Sequence, residues 1–215
     1  MTDNGARRAM GWSGVFFGVG TFAAVPLYFV HSGPPPASNV LTRNLITLIM
    51  IPLLLIFFSS LSHLIRRARA ENEWIASFLY GAVLLYLGIV LIAAAMETGV
   101  VFLTPDGSVD PTTDGPLAAA NVLMHGSIKR LLIAMMLLPA GYAVLRTRIL
   151  PRWVGWSAYL VAFCNLAFVP SLYFGTDVTQ FYSAHGWGNA ALAGSLIGWW
   201  VLAVGIAALR RRPAT

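Results

Sequence analysis

The chain has 215 residues, of which 58% are hydrophobic and only 10% charged. A soluble domain carries about 25% charged residues, so this composition excludes a chain covered in polar surface and implies a lipid-facing one. The single cysteine, Cys164, excludes an intrachain disulfide and a Cys-based zinc site. The net charge of +6 raises the question of nucleic acid, and the placement of the arginines answers it.

Residues 1–10 are polar, with Arg7 and Arg8, and lack the small-residue cleavage site that would follow a signal-peptide apolar run. Six apolar stretches then follow at 11–30, 44–63, 74–96, 117–145, 153–174 and 188–209. Each is long enough to cross ~30 Å of hydrocarbon, which takes about 20 helical residues. The expected fold is therefore all-α, a single transmembrane domain of six helices. His31 to Arg43 reads as a loop stiffened by Pro34, Pro35 and Pro36. The 98–115 stretch reads as a loop rich in Asp, with Asp114 as a helix cap and Pro116 in the first turn beyond it.

Six spans put both termini on one side. Eleven of the fourteen cations fall in the N-terminus, the 66–69 and 146–152 connections and the C-terminal Arg210, Arg211 and Arg212, all on that side. The opposite connections hold Arg43 and five carboxylates, Glu97, Asp106, Asp110, Asp114 and Asp177. The positive-inside rule then makes both termini cytoplasmic in a multi-pass protein of a bacterial plasma (inner) membrane. The arginines read as topology signals that touch anionic lipid, and no nucleic-acid partner is expected.

The chemistry is expected near the outer mouth. A helix rises 1.5 Å per residue. Counting from the interfacial Trp74 and Trp153, Glu97 and Asp177 fall just beyond the outer interface. Lys129 and Arg130 fall about one turn inside it, with His125 at its edge. Two readings stay open. In the first, the cations snorkel to the outer headgroups and the carboxylates sit at the rim. In the second, Glu97, Asn121, His125, Lys129, Arg130 and Asp177 line a ligand-binding pocket open to the outside. Asn121, His125 and Lys129 share a helix face, and Arg130 points about 100° away from it.

Pro26, Pro52, Pro139 and Pro170 interrupt four spans, two in each half of the chain, which hints at inverted repeats of three helices. Asn165, mid-span, is expected to bond across helices. The small-residue faces Gly14/Gly18 and Ala190/Gly194/Gly198 read as close helix contacts, within the bundle, in a homodimer or with a membrane partner. Ser59 to His63 spells SxxxH, but the HxxxH that accompanies it in membrane zinc hydrolases is missing. His31, His125 and His185 are candidate metal ligands without a spacing signature. No cofactor can be named from the sequence.

The run from Gly141-Tyr142 through Arg146, Leu150-Pro151-Arg152 and Trp153 to Gly155 resembles the fourth-to-fifth helix junction of a family of six-helix bacterial integral membrane proteins of unknown function. The resemblance implies the helix number and a short basic N-terminus. It implies no activity, and His125, Lys129 and Arg130 lie outside its pattern. Three functions follow as expectations: binding or transport of a small or amphipathic molecule, acid–base catalysis on a lipid or isoprenoid-like substrate with Glu97, His125 or Asp177, and an accessory role in a membrane complex.

Overall fold

The computed structural model describes residues 2–28, 30, 33–104, 108–111, 114 and 117–210. His31, Asp106, Pro116, Arg211 and Arg212 lie outside the described residues. Within them helix is the only regular structure, with no strand. Six segments are long and apolar enough to cross a membrane: α1 (Asp3–Tyr28), α2 (Ala37–Ala68), α3 (Ala70–Leu103), α4 (Ala118–Thr147), α5 (Arg152–Phe174) and α6 (Gly188–Arg210). This is a multi-pass membrane protein.

Two helix ends differ from expectation in ways that matter. Helix α2 begins at Ala37, directly after Pro36, because proline ends the extended run and suits the residue before a first helical turn. Arg43 is therefore a helix residue, not a loop residue. Helix α3 continues through the apolar Val100, Val101 and Phe102 to Leu103. Glu97 consequently sits inside the helix and is 2% exposed. Asp114 does not cap α4, whose N-cap is Leu117 without a side-chain bond; its carboxylate accepts the Asp110 N–H at 2.9 Å instead.

Each helix packs on its neighbour in sequence, and α6 closes the ring on α1. The face that carries the chain ends (the near face) is held by Arg7, which donates to the Ile149 carbonyl at 2.8 Å. Ion pairs join Glu71 to Arg146 at 2.9 Å and Asp3 to Arg67 at 3.7 Å on the same face. Behind it the core is apolar and close-packed, with Phe57, Phe58 and Trp200 in mutual ring contact. Glycine sets the helix spacing here. A Cβ on Gly14 would lie 2.9 Å from both the Phe57 ring and the Val201 carbonyl, and one on Gly198 would lie 3.0 Å from Thr21. Gly14, Gly18 and Gly198 thus meet neighbouring helices inside the chain, while Ala190 is exposed.

The far half is different. The tail of α1 is a 3-10 turn, Val25–Tyr28, that contains Pro26, and the tail of α5 is another, Val169–Phe174, that contains Pro170. Helix α4 opens through a π-helical turn, Met124–Ile128, and α6 through Gly188–Ala193. Pro52 and Pro139, by contrast, are carried within continuous α-helix. All four irregular segments lie at the far end, in the first, fourth, fifth and sixth spans. That distribution does not repeat between the two halves of the chain. Irregular backbone at membrane depth is tolerated where protein buries it or where it lines a cavity; Val25 and Tyr28 line a cavity, and Gly126, Ser127, Gly188 and Asn189 are buried.

Candidate functional site

Most of the buried polar side chains lie in the far half, and they form two linked groups. The first centres on Glu97. Asn121 donates through Nδ2 to Glu97 Oε1 at 3.3 Å. His125 brings Nε2 to 3.8 Å from the same oxygen, and its Nδ1 lies 3.1 Å from the Asn121 carbonyl one turn earlier. The sequence separation of four residues stacks Asn121 and His125 on one face, and that face meets α3. Asn44 anchors the other flank, donating to the Ala94 carbonyl and to Thr98 Oγ1 at 3.3 and 3.0 Å. The cations whose fields act on the Glu97 carboxyl are Arg43 and then Lys129.

The second group centres on Arg130 and Asn189. Arg130 Nε donates to Asn189 Oδ1 at 2.8 Å. Asn189 Nδ2 donates in turn to Ser171 Oγ at 2.9 Å and to the Ala184 carbonyl at 3.1 Å. Ser127 and Ser171 hydroxyls meet at 2.9 Å. Helices α4, α5 and α6 and the connection before α6 are therefore tied at one point. Gly126 permits it, because a Cβ there would run into the Ala184 carbonyl oxygen. A weaker bond from Arg130 Nη2 to the His125 carbonyl, 3.4 Å, joins the two groups.

Between α1, α2, α3, α4 and α6 lies a half-open cavity of about 170 Å³. Its wall is apolar for the most part, with Phe17, Met50, Leu54 and Ile197. Lys129 is the one charged residue among the described residues of its lining, held 5.7 Å from the centre of the Tyr86 ring. The cavity reaches Tyr28 at its far end, and Arg43 stacks on that ring at 4.3 Å.

The structure thus brings Glu97, Asn121, His125, Lys129 and Arg130 together. It does not join Asp177 to them. Asp177 is exposed and orders its own loop, accepting from the Thr179 hydroxyl and N–H at 2.7 and 2.9 Å and from Gln180 at 3.3 Å. Those bonds hold its carboxyl below the usual aspartate range. His185 is half-buried beside this loop, and burial lowers its imidazole from the ordinary value while Asp110 opposes that. Among the described residues no three His, Cys, Asp or Glu side chains gather as a metal site. Asn165 bonds within its own helix, to the Val161 carbonyl at 2.8 Å, not across helices.

Arg43, Asn44, Ser171 and Asn189 belong to the site and were not among the sequence candidates. For Arg43 and Asn44 the signal is the proline run ending at Pro36, after which a helix can start at Ala37, six residues before Arg43. Nothing in the spacing of Ser171 and Asn189 marks them. The chain matches no family model, no curated protein and no solved structure.

Proposed function

We propose that this protein binds a small or amphipathic molecule within the far half of the bundle, and that transport of that molecule is the use of the site. The observation that carries the reading is the cavity of about 170 Å³ with the Lys129 ammonium in its otherwise apolar and neutral described lining. An apolar cavity near 150 Å³ accommodates a benzene-sized body, so the space suits part of a small or chain-like ligand. The cation bias of the connections supports cytoplasmic termini in a bacterial plasma membrane, which opens the site to the outer side. Native mass spectrometry of protein released from mild detergent tests the reading. A stoichiometric non-phospholipid adduct is expected, and Ala24→Phe, which fills the cavity wall, lowers its occupancy. Unchanged occupancy in that variant overturns the assignment.

One observation favours a second reading. Glu97 and His125, 3.8 Å apart, form a carboxylate–imidazole pair of the kind that moves protons. On this reading the protein is an enzyme acting on a lipid or isoprenoid-like substrate. Time-dependent conversion of an added isoprenoid alcohol to a product of changed mass, abolished by Glu97→Gln, would establish it. Conversion that survives Glu97→Gln would remove it. The accessory-subunit reading draws no support from Gly14, Gly18 and Gly198, whose faces are used within the chain.

A further inference from the structure

Among the described residues, the buried interior of the far half holds more positive charge than its carboxylate answers. Arg43 is 3% exposed and Arg130 2% exposed, and Lys129 is half-buried. Against these three cations stands, among the described residues, one buried carboxylate, Glu97. Burying a charge without a partner is expensive, and buried charges are ordinarily paired. Here the pairing is incomplete in a specific way. Arg43 makes no ion pair among the described residues, and its Nε and Nη2 are buried without a hydrogen-bond partner there. These two nitrogens share one edge of the guanidinium. Together they form the side-on fork that matches the two oxygens of a carboxylate or phosphate. Arg130 likewise leaves Nη1 buried and unpartnered among the described residues.

One cation lines the cavity and the other two lie directly behind lining residues. Lys129 lines it. Arg43 lies against the Tyr28 ring, which forms its far wall. Arg130 passes behind Gly194, where a Cβ would come within 3.1 Å of Nη2, and Gly194 is itself part of the lining. Lys129 thus faces the space directly, Arg43 and Arg130 stand one side chain or one glycine behind its wall, and the lining toward the core is hydrocarbon-like.

We infer that the occupant of this cavity is an amphiphile with an oxyanion head, a carboxylate or a phosphate. The head is held between Lys129 and the fork of Arg43, and the hydrocarbon body lies among Phe17, Leu54 and Ile197. The inference rests on the cavity being a binding site and adds the class of ligand. Arg43 is the residue that sets specificity, because a lysine in its place keeps the charge and loses the two-point fork.

The test is thermal unfolding of the purified protein in nonionic detergent with three added probes: dodecyl phosphate, dodecanol and inorganic phosphate. Ligands that bind only the folded state raise Tm with concentration. Dodecyl phosphate is expected to raise it, and dodecanol and inorganic phosphate to have far smaller effects. Arg43→Lys is expected to weaken dodecyl phosphate about tenfold or more, the scale of a lost hydrogen bond to a charged group. Lys129→Gln carries the same expectation and serves if Arg43→Lys does not fold. Equal stabilisation by dodecanol overturns the oxyanion head while leaving a binding cavity. Inorganic phosphate matching dodecyl phosphate overturns the amphiphile and leaves a free-anion site. No stabilisation by any probe overturns the cavity reading together with this one. Undiminished dodecyl phosphate binding in both variants removes Arg43 and Lys129 from the site.

Discussion

Arg130 on α4 and Asn189 on α6 are joined by a 2.8 Å hydrogen bond in which Nε donates to Oδ1, and both residues are buried. The bond is asymmetric in what each partner leaves behind. Asn189→Leu strands a second nitrogen of a buried guanidinium that already has Nη1 unpartnered among the described residues. Arg130→Met removes the charge and strands only a neutral amide oxygen. Leaving a buried polar group unsatisfied costs about 1–3 kcal/mol, and more for a charged one. Asn189→Leu is therefore expected to destabilise more than Arg130→Met, and the double variant to lose less than the sum. Denaturant unfolding in micelles of the two singles and the double checks this; equal single losses would remove the asymmetry, and a double equal to the sum would mean the bond contributes nothing.

Gly126 is where α4 yields to the connection before α6. Its backbone is non-helical, and the Ala184 carbonyl approaches so closely that no Cβ fits between them. Gly126→Ala must push that carbonyl away and with it the second donor contact of Asn189. Overpacking of this kind costs typically about 1–3 kcal/mol. The expected signature is a lower Tm with faster amide exchange in residues 180–190, while exchange in the near-half core of α2 and α3 stays slow. Uniformly faster exchange would place the strain elsewhere.

The six spans were legible because the bilayer demands unbroken apolar length, and composition reports length directly. The ends of α2 and α3 were less so. A charge such as Arg43 or Glu97 reads as the end of a span, yet here each lies inside the bundle, where other polar side chains and a cavity meet it. Lys129 and Arg130 were visible as cations in an apolar run, but their facing was undecided. One residue of helical rotation separates a cavity-lining Lys129 from an Arg130 bonded to α6, and only packing decides which goes where. Asp177 sat at the right depth and turned to its own loop, since Thr179 two residues on satisfies it locally.

That local satisfaction has a pH dependence with a definite sign. Hydrogen bonds from Thr179 hold the Asp177 carboxyl below its ordinary value of 3.8. A depressed folded value means the bonded loop is stabilised above the unfolded value and loses that contribution as pH falls through the folded one. Thr179→Ala should move the Asp177 titration upward and loosen the loop at neutral pH. A site-resolved carboxyl titration by NMR in micelles checks both; an unmoved titration would show that Thr179 does not control it.

Gly14 lies where α1 crosses α2 and α6. A side chain there meets the Phe57 ring on one side and the Val201 backbone on the other. The ring can shift; the backbone carbonyl cannot move without displacing α6. Gly14→Leu is expected to cost about 1–3 kcal/mol or more by overpacking, read as a fall in Tm of the isolated protein. A fall in Tm without any partner present places the face inside the bundle, and a variant as stable as the parent would return it to an intermolecular role.

Glu97→Gln separates stability from binding more sharply than any other change. Among the described residues Glu97 is the one buried carboxylate beside three cations, and Asn121 and His125 both address its Oε1. Glutamine keeps the shape and an acceptor oxygen but removes the charge that answers Arg43 and Lys129. The folded state should therefore lose stability, on the scale of about 1–3 kcal/mol for a disturbed buried polar group. Binding should move the other way. An oxyanion head placed between Arg43 and Lys129 is repelled by the Glu97 charge, so the variant should hold dodecyl phosphate several-fold more tightly while dodecanol is unaffected. Arg43→Lys should shift the same affinity in the opposite direction. Parallel Tm titrations of the two variants read both signs at once. Weaker dodecyl phosphate binding in Glu97→Gln would mean that the carboxylate positions the cations for the head instead of competing with it.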